Sequence, residues 1–233
     1  MDEHPPALRI LALETSGRSG SVAALFGNNL LVQIELDPGQ RSAASLAPTV
    51  RQLLLQAGWP PRSVQLVAVA IGPGSFTGLR IGVTTAKLLA YAAGAECLGI
   101  ETLDVIAAQT PLDIDRRLLV AASDAGRGEL FTKRFAQDAS GEWAPSDETA
   151  IEPIDAWLGR LTPDDAVTGP AIEMLADRLP AGVMAVEPAL RQPMAATVGR
   201  LAAVRYAAGQ RCDAWSLAPF YLRRSAAEEK RPG

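Results

Sequence analysis

Ile71-Gly72-Pro73-Gly74-Ser75-Phe76-Thr77-Gly78-Leu79-Arg80-Ile81-Gly82 is the stretch on which the fold turns. It follows the apolar run Leu66 to Ile71 and opens onto a helical pattern that continues to Ala93. A strand that ends in a glycine-rich turn and feeds a helix offers backbone N–H groups to an anion or to a second stretch of backbone. Gly72, Gly74, Gly78 and Gly82 fall within eleven residues and strip the surface of side chains, so something approaches it closely. No Gly-Lys-Ser/Thr follows, which excludes a P-loop, and the spacing is not that of a dinucleotide fingerprint.

Outward from this turn the pattern is that of an α/β protein. Arg9 to Leu13 is a nearly continuous apolar run, as in a strand covered on both faces. Ser21 to Phe26 and Leu30 to Leu36 follow at hairpin spacing around Gly27-Asn28-Asn29. A helix is expected from about Ser45 to Ala57, with Leu46, Val50, Leu53, Leu54 and Ala57 on one face and Gly58 and Pro60 ending it. Leu66 to Ile71, the helix after the glycine turn, and Glu96 to Ile100 complete a first half.

The second half repeats the order. Strands are expected at Leu118 to Ser123, at Glu129 to Phe135, and near Trp143 or Thr149 to Ile151. Helices at Ile154 to Leu161 and Ala171 to Leu179 alternate with short strands at Ala166 to Thr168 and Val183 to Val186, and a last helix runs from about Ala195 to Ala208. Leu13-Glu14-Thr15-Ser16-Gly17-Arg18 is echoed by Ser123-Asp124-Ala125-Gly126-Arg127-Gly128, and Ile71-Gly72-Pro73 by Thr168-Gly169-Pro170. A duplicated βββαβαβα unit is the plan of the actin-like ATPase fold shared with sugar kinases and Hsp70. The expected halves are 1–105 and 106–233, with 210–233 packing back on the first. In such a fold Glu14 and Asp124 face a common cleft, where they would either hold a hydrated Mg²⁺ or simply close their turns.

Composition narrows the function. The chain has 233 residues and a net charge of −4, which gives no overall basic footprint for a nucleic-acid backbone. Cys97 and Cys212 stand far apart in no metal or redox spacing, as expected in a reducing cytoplasm with no disulfide framework. Met1 to Pro6 is acidic, unlike a signal peptide, and the apolar stretch Ile81 to Ala95 carries Lys87, unlike a membrane span. The one histidine, His4, supplies neither a metal-binding pair at helical spacing nor a Ser-His or Cys-His dyad. Trp143, Trp157 and Trp215 have no interleaved basic residues and read as core or rim positions, not base-stacking platforms.

Ile10 to Ser16, Gly72 to Gly82, Asp124-Ala125-Gly126-Arg127-Gly128-Glu129-Leu130 and the ending Phe220-Tyr221-Leu222-Arg223-Arg224 resemble, in order and separation, the bacterial TsaB (YeaZ) family. The resemblance implies the actin-like fold and an accessory, non-catalytic role in making threonylcarbamoyladenosine next to the anticodon of ANN-decoding tRNAs. It implies as partners the catalytic paralogue TsaD and the ATPase TsaE, a homodimer when the partner is absent, tRNA through the complex, and no membrane. It implies no cofactor for this chain, with ATP or ADP and Mg²⁺ at the level of the complex. Glu14 stands where the family usually has Asp, Gly39-Gln40-Arg41-Ser42 where many members have His-Ser, and Ala125-Gly126-Arg127 where Ala-Arg is usual.

The resemblance also assigns two sets of residues. Leu46, Val50, Leu53, Gly78, Leu79, Gly82, Ala86, Lys87 and Ala90 lie on the two helices that would dock the partner. The small residues Gly78, Gly82, Ala86 and Ala90 recur every fourth position, which permits close approach of a helix from outside or of a neighbour within the same layer. On the first reading Gly82→Arg blocks docking and leaves the monomer folded. A vestigial nucleotide cleft would comprise Glu14, Ser16, Gly72, Gly74, Ser75, Thr77, Asp124, Arg127 and Gly169. Arg127 would face the partner and nucleotide, or else satisfy nearby carbonyls. The alternative function is a small ATP-dependent kinase acting through Glu14 and Asp124.

Overall fold

The strands β1 (Arg9–Glu14), β2 (Ser21–Phe26) and β3 (Asn29–Glu35) form an antiparallel meander, because two short turns allow neighbouring strands only that pairing. Helix α1 (Ser42–Gln56) then crosses to β4 (Leu66–Gly72), and α2 (Phe76–Ala93) to β5 (Glu96–Glu101); both strands run parallel to β1. The sheet order is β3-β2-β1-β4-β5. This computed structural model describes residues 7–17, 19–37 and 42–223. His4, Arg18, the Gly39–Arg41 segment and the tail beyond Arg223 lie outside the described residues.

The chain divides into two units, Met1–Glu101 with Met194–Pro219, and Thr102–Pro193 with Phe220–Gly233. In the second, α3 (Thr102–Ala108) precedes β6 (Leu118–Gly126), β7 (Glu129–Gln137), β8 (Trp143–Pro145), β9 (Ala150–Pro153), α4 (Ile154–Arg160), β10 (Asp165–Thr168), α5 (Ala171–Leu175) and β11 (Met184–Ala185). Its sheet order, β11-β10-β6-β7-β8, is that of the first sheet with β6 in the place of β1. Both candidates for the third strand form. β8 pairs with Phe135–Gln137 and β9 with Glu129–Thr132, so they divide one edge of β7 between them.

Each sheet is covered on both faces, so successive residues of its central strands are buried on alternate sides. In the first unit Leu11, Leu13, Val22, Ala24, Val67 and Val69 pack under α1 and α2 with Leu46, Val50, Leu53, Val83 and Ala86. The opposite face, with Ile10, Ala12, Ala23 and Leu25 fully buried, is covered by α6 (Ala195–Ala207), whose Gly199 sits against Leu25 and Ala12. The α6 N-terminus is capped from the sheet: the Ala195 N–H donates to Ser21 Oγ and the Ala196 N–H to Gln33 Oε1, both at 2.9 Å. In the second unit Trp157, Ile172 and Leu175 cover the face of Val120 and Ala122, while Leu103 and Ile106 of α3 cover that of Leu119 and Ala121. The buried pair Lys133 Nζ–Asp104 Oδ1, 2.7 Å, ties α3 to β7.

The halves expected at 1–105 and 106–233 therefore differ from the units in both terminal helices. Helix α3 lies on the second sheet and α6 on the first, since each carries the apolar face that its sheet lacks. The expected return of 210–233 is also divided. Lys87 Nζ donates to the carbonyls of Trp215 (3.0 Å) and Leu217 (3.1 Å), holding that segment on α2. Arg223 instead donates to Ala125 O at 3.4 Å and pairs with Glu129 in the second unit. Cys97 and Cys212 face each other in an isolated antiparallel β-bridge.

Candidate functional site

The glycine-rich turn is built against the end of β1. After β4 the chain passes a cis Gly72–Pro73 peptide and reaches Ser75, the N-cap of α2, whose Oγ accepts from the Gly78 N–H at 3.2 Å. The Ser75 N–H donates to the Ser16 carbonyl at 2.8 Å, and the Thr15 hydroxyl donates to the Gly78 carbonyl at 2.8 Å. Space is as tight as the bonding. A β-carbon on Gly78 would stand 2.0 Å from the Thr15 carbonyl oxygen, and one on Gly82 2.2 Å from Thr15 Oγ1. The turn after β1 thus lies in a groove that the glycines of α2 leave open.

Glu14 is sealed beneath this turn, with no exposed surface. Its Oε1 accepts from the Ser16 N–H at 2.6 Å and from the Ser16 hydroxyl, while Oε2 has no hydrogen-bond partner. Burial pushes its carboxyl up to about 7, against the two bonds from Ser16, which favour the ionised form. Magnesium keeps most of its water shell in an octahedral set of oxygens. A fully enclosed carboxylate with one oxygen already engaged does not fit it, and among the described residues no three His, Cys, Asp or Glu side chains come together as a metal site.

In the second unit the corresponding acid is exposed, and Asp124 Oδ1 accepts from the Gly126 N–H at 2.7 Å, closing its own turn. Arg127 and Gly128 form the two-residue connection of the β6–β7 hairpin, both with positive φ (58° and 77°), as a type I′ turn requires. Gly169 repeats the device of Gly78: a β-carbon there would lie 2.2 Å from the Ala122 carbonyl oxygen. Of the expected cleft residues, Glu14, Ser16, Gly74 and Ser75 come together in the first unit, with Gly72 leading in and Thr77 exposed on the first turn of α2. Asp124 and Arg127 share the second unit's hairpin.

The expected docking residues need correction. Leu46, Val50, Leu53, Gly78, Leu79, Gly82, Ala86 and Ala90 are all buried inside the first unit. The small-residue stripe is used by the β1 turn and the sheet, so it offers nothing outward, and Gly82→Arg would strike the fold itself. Lys87 is half-buried and engaged with the 215–217 carbonyls. What the helices expose is apolar in another place: Leu55 (72% exposed) on α1, Leu88 (64%) and Tyr91 (78%) on α2, and Trp215 (79%), whose ring meets Tyr91 edge-on at 6.3 Å. The sequence signal for this was the apolar character of α2 on both sides, Leu88 and Tyr91 lying off the buried stripe. Of the other tryptophans, Trp157 is core, and Trp143 is half-buried with its Nε1–H on Thr110 O at 3.2 Å.

The family model described as TsaD, tRNA N6-adenosine threonylcarbamoyltransferase, matches residues 38–208. The tRNA threonylcarbamoyladenosine biosynthesis protein TsaB of Escherichia coli (strain K12) is 27% identical, the match covering 97% of this chain and 99% of that protein. The protein of the same name from Haemophilus influenzae is 28% identical over 97% and 98% of the two chains. The solved structure of YeaZ from Pseudomonas aeruginosa superposes with a TM-score of 0.78 at 27% identity, covering 92% of this chain and all of that one.

Proposed function

The chain belongs to the family of the tRNA N6-adenosine threonylcarbamoyltransferase TsaD and has its actin-like fold, and from that premise we propose that it is the accessory, non-catalytic subunit of the TsaB type. Its process is tRNA threonylcarbamoyladenosine biosynthesis, as the names of its full-length relatives state. It would bind the catalytic paralogue, order it, and support recruitment of the third, ATP-hydrolysing subunit, while tRNA is held by the complex. The chemistry, transfer of a threonylcarbamoyl group from its adenylate to an adenosine amino group, would rest on ligands of the partner.

The observation that carries this reading is the occupation of the glycine-rich turn by its own chain. The Ser75 N–H, which a phosphate-binding turn would direct at an anion, is engaged by Ser16, and Gly78 is filled by Thr15. The glycines therefore serve a rigid scaffold. The kinase alternative finds less support, since Glu14 is enclosed and Asp124 Oδ1 closes a turn. On this reading the exposed apolar side chains Leu88 and Tyr91 of α2, with Trp215 against Tyr91, and Leu55 of α1 meet the partner, or a second copy when the partner is absent. The chain requires no cofactor of its own, and ATP or ADP with Mg²⁺ acts in the assembled complex.

The test is reconstitution with the cognate threonylcarbamoyltransferase, ATPase subunit and adenylate-forming enzyme, with threonine, bicarbonate, ATP and tRNA. Modified nucleoside is expected only when this chain is present, and no turnover from the chain alone. Equal product without it overturns the reading.

A further inference from the structure

We infer that Cys97 and Cys212 form a reversible intramolecular disulfide that clamps the segment after α6 to the open edge of the first sheet. The two residues are direct partners in an antiparallel bridge, although 114 residues (98–211) separate them in the chain. Antiparallel partners have Cα atoms about 4.5–5.5 Å apart and side chains on the same face. That separation falls within the window of roughly 4.4–6.8 Å in which a disulfide closes without backbone movement. Both thiols are free, Cys97 buried and Cys212 half-buried against the same core.

The register is fixed from several directions. Beside the pair, Arg211 Nε lies 3.2 Å from Glu96 Oε2 and the Tyr206 hydroxyl 3.1 Å from Glu96 Oε1. Beyond it, Lys87 holds the carbonyls of Trp215 and Leu217. Burial above all, with the neighbouring Cys212 adding to it and Lys87 opposing both, pushes the Cys97 thiol up to about 12, so the two sulfurs and the ammonium share one electrostatic neighbourhood. Among the described residues the pair belongs to no metal-ligand cluster.

The co-reactant is a low-molecular-weight disulfide such as oxidised glutathione. The more accessible Cys212 thiolate attacks one of its sulfurs, forming a mixed disulfide and releasing the first glutathione thiolate. Cys97 then loses its proton and attacks Cys212 Sγ, forming the Cys97–Cys212 bond and releasing the second. The two cysteine protons end on the two glutathione thiols, and the two electrons have passed to the glutathione disulfide. The high affinity of Cys97 for its proton makes the second step the slow one.

The full chain, reduced and then incubated with oxidised glutathione, is followed by intact mass and by peptide mapping without reductant. The expected product is monomeric, lighter by two hydrogens, carries no glutathione, links the peptides of Cys97 and Cys212, and is reversed by dithiothreitol. Its Tm should rise, because the link closes a loop that contains Thr102–Pro193 of the second unit. Cys97→Ser should accumulate glutathione on Cys212 and stop there, whereas Cys212→Ser should take up none. Stable glutathione on Cys212 in the wild-type chain, disulfide-linked dimers, or an unreacted wild type would each overturn the inference.

Discussion

The carbonyl oxygen of Thr15 lies where the β-carbon of Gly78 would be, 2.0 Å from that position, although the two residues are 63 apart in sequence. With the Thr15 hydroxyl on the Gly78 carbonyl and the Ser75 N–H on the Ser16 carbonyl, this contact joins the turn after β1 to the first turns of α2. The glycine-rich segment is a socket for the chain's own turn.

Gly78→Ala should consequently destabilise the fold. Backbone crowds this site, with no side-chain end able to move aside, so the loss is expected at the upper end of overpacking costs, about 3 kcal/mol. Gly82→Ala is crowded by a side-chain atom, Thr15 Oγ1, with Thr15 Cβ and Val69 Cγ2 at ordinary contact, so it should cost less, and Thr15→Ala should relieve it. Thermal or urea unfolding of the singles and of the Thr15→Ala/Gly82→Ala double measures this. Strict additivity of the pair would count against the socket.

Glu14 predicts a pH dependence of unusual sign for a carboxylate. Its folded value, about 7, lies above the ordinary 4.5, so between these pH values the folded chain holds a proton that the unfolded chain has released. Stability contributed by the group is complete below about pH 4.5 and is lost as pH rises through 7. Glu14→Gln removes the titration and should be the more stable variant at pH 8, by an amount on the order of a few kcal/mol. Tm against pH for the two proteins should diverge across that window; parallel curves contradict the burial argument.

The outward apolar face separates docking from folding. Leu88→Asp and Tyr91→Arg change exposed positions and should alter stability by no more than about 0.5 kcal/mol. Each should weaken association with the catalytic paralogue at least tenfold, a change of about 1.4 kcal/mol, read by calorimetry or sizing chromatography. Unaltered binding by both variants would move the interface elsewhere.

Arg127 sits at φ 58°, a left-handed conformation that asparagine and glycine adopt more readily. Arg127→Asn should keep the β6–β7 hairpin and raise stability by up to about 1 kcal/mol. If the arginine serves the complex, the same variant forms less modified nucleoside in the reconstituted system. A gain in stability with undiminished product leaves Arg127 a turn residue only.

The sequence was most legible where one physical cause dominates a segment. Arg9–Leu13 and Leu66–Ile71 are central strands buried on both faces, and their unbroken apolar runs say so. Ser21–Phe26 was located to the residue by its hairpin turn. Helix α3 was missed because Thr102-Leu103-Asp104-Val105 follows β5 with no turn residue and spans only two turns. The repeat itself was legible, but not that its third strand splits into β8 and β9, each too short for a period to show. The site was legible in its residues and not in its direction. Whether Gly78 and Gly82 face inward or outward depends on where Thr15 arrives, a contact between distant segments that no local pattern records. The cysteines make the same point, since their spacing carries no signal and only the bridge brings them together.

Helix α6, the lid on one face of the first sheet, is encoded after Thr102–Pro193, the larger segment of the second unit. On the ribosome, β1 to β5 therefore emerge with α1 and α2 but with Ile10, Ala12, Ala23 and Leu25 still bare. The N-terminal unit cannot finish folding first, as domains made in sequence ordinarily do. It must wait, half-covered, until Ala207 has left the exit tunnel. A fragment ending at Glu101 should be insoluble, whereas adding Met194–Pro219 back through a short linker should rescue it.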